Sequence, residues 1–414
     1  MNAKQIYLDN QSNTRIDDIV LDSMLPYLKE NYGNPQSIYS LGQISKDAIE
    51  QARSSVAKLI NAQNNEIIFT SCGSESNNLA IKGFAYSNSK KGKHIIVSSI
   101  EHFSILNTVK SLSAEGFEIT YLPVDKEGFV DLEELKKSIR QDTILVSVQH
   151  ANTEIGVIQN VAEISKIVKE KNITLHVDAV CTAGIIPIDV ISLNIDLLTL
   201  ASSVIYGPKG AAALYIKKGT VIKAQINGGI QEFSKRAGTE NVPAIVGFGI
   251  ACDIAMSEMN KNFEYVEILR NKLVAGLKEK IKYIYLNGSI TNRLPNNVNF
   301  SIEFVEGEAL FLMLDAKGIM AASGSSCASK SLKMSHVLTA LNVDTAVGQG
   351  SIVFTLSKFN TIEEIDYVIE EFPKIVERLR SMSPLYDHFI QTGSRMKAGP
   401  GTDYDDHHDH CDNI

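Results

Sequence analysis

Six short apolar runs, at 66–70, 94–98, 143–148, 173–177, 196–200 and 211–216, punctuate the first half of the chain, most of them separated by helical patterns. Parallel neighbours cannot be joined by a tight turn and need a crossover. The alternation therefore predicts an α/β fold with a mostly parallel sheet. Ligands of such sheets bind beyond the carboxyl ends of the strands. Ser74, His102, Asn152, Asp178 and Ser203 all follow closely on such runs. Their gathering at one edge is the best argument for a site that the residues alone provide.

Asp17 or Asp18 caps a first helix, which Gly33-Asn34-Pro35 closes off because proline cannot continue a helix. Ile44, Ala48, Ala52, Val56 and Leu59 mark the buried stripe of a second. Ser71-Cys72-Gly73-Ser74 lies between a strand and a helix start. Free amides and the helix dipole make such a turn an anion site, although an ordinary capped helix start reads the same way. After about residue 260 the texture changes to a long helix at 265–281, strands at 297–302 and 351–356, and helices at 307–317, 335–341 and 361–380. We expect a large domain over 17–258, a smaller α+β domain from 1–16 and 259–385, and a tail over 386–414.

Hydrophobic residues make up 44% and charged residues 21% of 414, ample for a large core. The net charge is −8 and no basic patch stands out, which argues against nucleic acid. No apolar run is expected to span a bilayer, and no signal peptide is visible. Cys72, Cys181, Cys252, Cys327 and Cys411 are scattered and odd in number, which fits a reducing, cytoplasmic setting. Cys327 sits in a Ser/Gly-rich loop without apolar neighbours, which favours a reactive or ligand role. Cys252 reads as core. Cys72 and Cys181 read as packing, or as metal or cluster ligands if they face Cys327. In the tail, His407, His408, His410 and Cys411 stand among aspartates. Imidazole and thiolate suit a divalent metal, and a solvated acidic tail is the equal alternative.

Several ordered motifs add to this reading: Gly33-Asn34-Pro35, Glu101-His102, His150-Ala151-Asn152 with Glu154-Ile155-Gly156, His176-Val177-Asp178-Ala179, Tyr206-Gly207-Pro208-Lys209-Gly210, Ala237-Gly238-Thr239, and Ser323-Gly324-Ser325 with Cys327. On these the chain, from about Ile6 to Tyr386, resembles the cysteine desulfurases of iron–sulfur cluster assembly, in the class-V aminotransferase group. The resemblance implies the fold of type I transferases dependent on pyridoxal 5′-phosphate (PLP). It also implies a homodimer in which Gly238-Thr239 reaches the neighbouring subunit's phosphate site. His102 matches the histidine that stacks on the pyridine ring and Asp178 the acid that pairs with the ring nitrogen. Cys327 matches the thiol that carries away a persulfide. Gly73, Ser74, Asn152, Ser203 and Thr239 complete the implied cofactor set.

The departures fall on the chemistry. The Schiff-base lysine is Val204, the histidine before it Ser203, and the serine two positions earlier Ala201. The glutamine that reaches the ring oxygen is Cys181, the second asparagine of Asn-Asn-Glu is Thr153, and the substrate-carboxylate arginine is Val353. Valine has no nitrogen for a covalent link and no base for proton transfer. The expectation is PLP held without a covalent bond at best, on a fold whose standard activity is lost. Three readings stay open. One is a sulfur or cluster carrier that uses Cys327 beside a scaffold protein or an active desulfurase. Another is an enzyme with non-covalent PLP. The third is a dimeric module that binds metal through its tail.

Overall fold

A computed structural model describes residues 5–323 and 334–395. Its strands, in chain order, are β1 (Ile6–Tyr7), β2 (Ile67–Thr70), β3 (His94–Ser98), β4 (Glu118–Leu122), β5 (Thr143–Gln149), β6 (Thr174–Asp178), β7 (Leu197–Ala201), β8 (Ala212–Ile216), β9 (Ile284–Leu286), β10 (Asn297–Ile302), β11 (Ile319–Met320) and β12 (Ser351–Thr355). Seven form one sheet in the order β2-β8-β7-β6-β5-β3-β4. Every pairing from β4 to β7 is parallel, and β8 alone runs against its neighbours β7 and β2. Strands β2, β3, β5, β7 and β8 are buried along their whole length. That burial is why they read as unbroken apolar runs rather than as alternation. Edge strand β4 is half-exposed and has no such run, so no apolar signature marks it.

A three-stranded antiparallel sheet, β12-β10-β9, and the parallel pair β1-β11 lie apart from the large sheet. Their core is separate too: Leu273, Phe300, Phe354 and Phe372 belong to it, while Val56, Val177, Ile245 and Phe248 belong to the core of the large sheet. One helix, Val242–Lys280, serves both. Its first half packs Ile245, Phe248 and Cys252 into the larger core, and its second half packs Val266, Leu269, Leu273 and Leu277 into the smaller. The sequence suggested a new helix near 265 and a boundary at 258. No break exists there because the helical period continues while the partner changes.

This helix also corrects the expectation that no segment is apolar enough to span a bilayer: by length and composition, part of it is. Half of that stretch is buried inside the fold, as a helix shared by two cores requires. The chain end differs as well. A helix, Pro384–Thr392, crosses the boundary at 385/386 where the tail was expected to begin. Phe389 stacks on Phe304 with ring centroids 4.9 Å apart and meets Tyr283 edge-on. Cys327 and the tail residues His407, His408, His410 and Cys411 lie outside the described residues.

Candidate functional site

The carboxyl ends of β3, β5, β6 and β7 open onto a cavity of about 340 Å³. Its first wall is the start of the helix Gly73–Asn88. Cys72 occupies the N-cap without a side-chain capping bond, so the first-turn amides of Gly73 and Ser74 keep no helical acceptor. A Cβ on Gly73 would stand 2.9 Å from Val180 Cγ2, so the backbone passes close to the turn that follows β6. Glu75 braces the start. Its carboxylate accepts from Ser71 N at 2.9 Å, from the Ser71 hydroxyl, and from Arg236 Nε at 2.9 Å. Burial opposes ionisation of Glu75, but Arg236 and Ser71 outweigh it and hold the carboxyl below its ordinary value.

Asp178 ends β6. Its Oδ1 accepts from Val180 N at 3.0 Å and its Oδ2 from Asn77 Nδ2 at 2.8 Å. Burial raises this carboxyl above its usual range, against those hydrogen bonds and the nearby His102. Asn77 Nδ2 also donates to Ser104 Oγ at 2.9 Å, and Ser104 Oγ lies 2.7 Å from His102 Nδ1. His102 is the N-cap of Phe103–Ala114, and its Nδ1 accepts from Ser104 N at 3.1 Å. An amide can only donate, so Nδ1 is an acceptor and any ring proton sits on Nε2. A continuous chain thus joins Asp178 to His102.

Two more carboxyls enter the wall. Glu101 Oε1 accepts from Ser98 Oγ at 2.6 Å and from Gln149 N at 2.8 Å, while Oε2 has no partner. Burial, reinforced by Asp178, pushes Glu101 up to about 8. Glu154 Oε2 accepts from Ser335 Oγ at 2.6 Å, its Oε1 is bare, and burial pushes it up to about 7.

The turn after β7 supplies Ser203 and Val204. Tyr206 takes a left-handed φ of 65°. Its N–H donates to Thr14 Oγ1 at 2.9 Å and its hydroxyl accepts from Lys358 N at 3.1 Å. Lys358 itself is held by Asp17 and Glu258. Val353, on β12, faces the same cavity, as do Ser323 and His336, which flank the segment containing Cys327. Among the described residues that line it, none is lysine or arginine. Lys209 is exposed and does not line it.

Of the residues singled out from sequence, Gly73, Ser74, His102, Asn152, Asp178, Ser203 and Val204 meet at this cavity. Asn152 has little left to give a ligand. Its Oδ1 accepts from Glu154 N and Ile155 N, and its Nδ2 donates to Ile100 O. Thr239 is exposed and away from the wall of its own chain. Cys181 does line the cavity, but its thiol donates to Ala151 O at 3.0 Å and burial pushes its pKa up, so it is packing. Cys72 is exposed at the cavity, and Cys252 is fully buried in the core. Among the described residues no group of three or more His, Cys, Asp or Glu could hold a metal. Sequence reasoning missed Asn77, His336 and the N-terminal segment Asp9–Ser12. Asn77 stands four residues after Gly73 on the same helix face, the one signal that could have found it. The N-terminal segment reaches the wall through Asn10 Nδ2 to Thr355 O and Gln11 N to Thr355 Oγ1, contacts with no local signature.

Comparison with known proteins agrees with this geometry. Residues 6–368 match the family model described as aminotransferase class-V. The chain is 50% identical over 381 residues to a cysteine desulfurase IscS of Dictyoglomus turgidum, spanning 92% of this chain and 97% of that one. It is 52% identical over 382 residues to a cysteine desulfurase IscS of Methanosarcina thermophila, spanning 92% and 94%. A solved NifS-like protein superposes with a TM-score of 0.86 at 39% identity, covering 91% of this chain and 100% of that one. The chain belongs to the class-V aminotransferase family, in its cysteine desulfurase group.

Proposed function

We propose that this protein serves sulfur transfer in iron–sulfur metabolism without the family's usual release of sulfur from free cysteine, and that it receives sulfur at Cys327. The observation that carries this reading is the cavity wall itself, which presents Val204 and Val353 and no lysine or arginine among its described residues. Covalent capture of a carbonyl needs an amine, and a substrate carboxylate is normally clamped by a guanidinium. Neither is present among its described residues. Ser323 and His336, on either side of the Cys327 segment, support an acceptor thiol beside this cavity.

Membership in this family implies PLP. The residues fit two of its ends. The uncapped helix start at Gly73 and Ser74 suits a phosphate, and the enclosed Asp178 carboxyl, steadied by Asn77 and Val180, suits a ring nitrogen. When bound, the cofactor supplies an electron-withdrawing ring. Gly73 and Ser74 would hold the phosphate, and His102 and Asp178 would orient the ring, with Asp178 keeping a proton near it. The exposed Thr239 loop supports a homodimer in which it meets the neighbouring subunit.

In the transfer step, the sulfane sulfur of a donor persulfide passes to Cys327, leaving the donor as a thiol and Cys327 as a persulfide, with no net oxidation. The test mixes the reduced protein with an active cysteine desulfurase and isotopically labelled cysteine, then maps persulfides by mass spectrometry. We expect label on Cys327, absent from Cys327→Ser, and no alanine from cysteine when the protein is alone. Alanine produced by the protein alone, or label no higher on Cys327 than on Cys72, sinks this reading.

A further inference from the structure

One amide stands between Asp178 and His102. Asn77 is buried, and its Nδ2 donates both of its hydrogens, to Asp178 Oδ2 at 2.8 Å and to Ser104 Oγ at 2.9 Å. Its Oδ1 has no partner among the described residues. Turned over, the amide would set that oxygen against the Asp178 carboxylate, an acceptor against an acceptor. The backbone explains the reach. Gly73 opens the helix, and a Cβ there would stand 2.9 Å from Val180 Cγ2. The helix start therefore lies against the turn after β6, and Asn77, one helical turn on, meets Asp178.

The direction of each hydrogen bond follows from that amide. Ser104 Oγ accepts from Asn77, so its own hydrogen is free for His102 Nδ1, 2.7 Å away. Ser104 N donates to the same Nδ1 at 3.1 Å. Both ends of the chain receive, and hydrogens point outward from Asn77 toward each. A proton moving from Asp178 to His102 would have to enter an amide nitrogen that has no basic lone pair. We infer that Asn77 is a positioning residue that insulates the two ends: it binds Asp178 and His102 into one frame and lets no proton pass between them. At one end, the bonds from Asn77 and Val180 favour the charged form of Asp178 against the burial that opposes it. At the other, His102 keeps a bare Nδ1. The use of this arrangement rests on the reading that Asp178 and His102 hold a pyridine ring. Beside a ring protonated on its nitrogen, an uncharged imidazole is a tolerable neighbour and an imidazolium is a like charge. The insulator keeps the proton at the Asp178 end.

The experiment uses the full-length, cofactor-free protein carrying isotopically labelled histidine. Long-range proton–nitrogen NMR at neutral pH reads each ring nitrogen, and His102→Gln assigns the signals. The parent should show His102 protonated at Nε2 and bare at Nδ1. Asn77→Asp keeps the shape and replaces the amide by a group that can take up a proton. The Ser104 hydroxyl is then free to turn toward it, and His102 should gain a proton at Nδ1. With Ser104→Ala added, the hydroxyl that carries the change is gone and the gain should largely disappear. A parent His102 protonated at Nδ1 overturns the inference, and so does an Asn77→Asp protein with His102 unchanged. An equal gain with and without the Ser104 hydroxyl also overturns it, by reducing the effect to plain charge attraction. The parent spectrum keeps the inference open to refutation even if a variant does not fold. All signals are read without PLP, so failure of PLP to bind sinks the cofactor reading and not this one, and the two fail separately.

Discussion

Replacing Glu101 by glutamine isolates the effect of a charge enclosed in the cavity wall. The Glu101 side chain is fully buried, its Oε1 accepts from Ser98 and Gln149, and its Oε2 is bare. Burial lifts its pKa from 4.5 to about 8, with Asp178 adding to the rise and the two hydrogen bonds opposing it. In the unfolded chain the group ionises near the lower value. Between the two values the folded state keeps a proton that the unfolded state has released. The stability associated with this group is therefore complete below about pH 4.5 and is lost progressively as pH rises to about 8. About 3.5 pH units at ~1.4 kcal/mol each give roughly 5 kcal/mol as an upper figure. Glutamine keeps an acceptor for Ser98 and Gln149 and cannot ionise. Glu101→Gln should match the parent near pH 5 and exceed its stability by ~2–4 kcal/mol near pH 9. Urea unfolding at both pH values measures this. A difference between the two proteins that does not change with pH would falsify the claim that the fold holds Glu101 neutral.

Other perturbations test the scaffold around the site. Arg53 and Glu232 form a two-pronged ion pair at 2.8 Å and 2.8 Å, with side chains only 3% and 1% exposed. Arg53→Met leaves a buried carboxylate on the left-handed turn at Glu232–Ser234, and should lower stability by ~3–5 kcal/mol in urea unfolding. A change under ~1 kcal/mol would show the turn holds without the pair. Phe389→Ala removes a stacked ring from Phe304. It should speed hydrogen exchange across 384–392 and leave PLP binding unchanged, and slower binding kinetics would contradict the separation of that helix from the cavity. Asp178→Asn should weaken PLP binding, read by ligand absorbance after dialysis, since it alters the carboxyl that suits the ring nitrogen. Unchanged affinity would separate Asp178 from the ligand.

Sequence carried the cavity further than it carried the frame around it. Asp178, His102, Ser74 and Ser203 are legible because buried strands are continuous apolar runs, and polar residues within a few positions of each run's end mark the sheet edge. Strand β4 broke that rule by lying at the edge with Glu118 and Tyr121 in solvent. The seam inside Val242–Lys280 left no trace because a helix changes partners without changing period. Glu101 and Glu154 were visible as motif letters, yet nothing local says that each leaves one oxygen bare in an enclosed wall. That depends on Ser98, Gln149 and Ser335, the last of them 181 residues away from Glu154. Val204 and Val353 gain their meaning from the same long-range geometry. Apart, each is a conservative-looking valine in an apolar neighbourhood. Together they line one wall with four carboxyl-bearing residues. Random decay would be expected to loosen the support network first, because buried polar chains are costly when half-satisfied. Here the chain from Asp178 through Asn77 and Ser104 to His102 is intact. A wall that keeps this ring-end network intact is better suited to holding a ligand than to holding nothing.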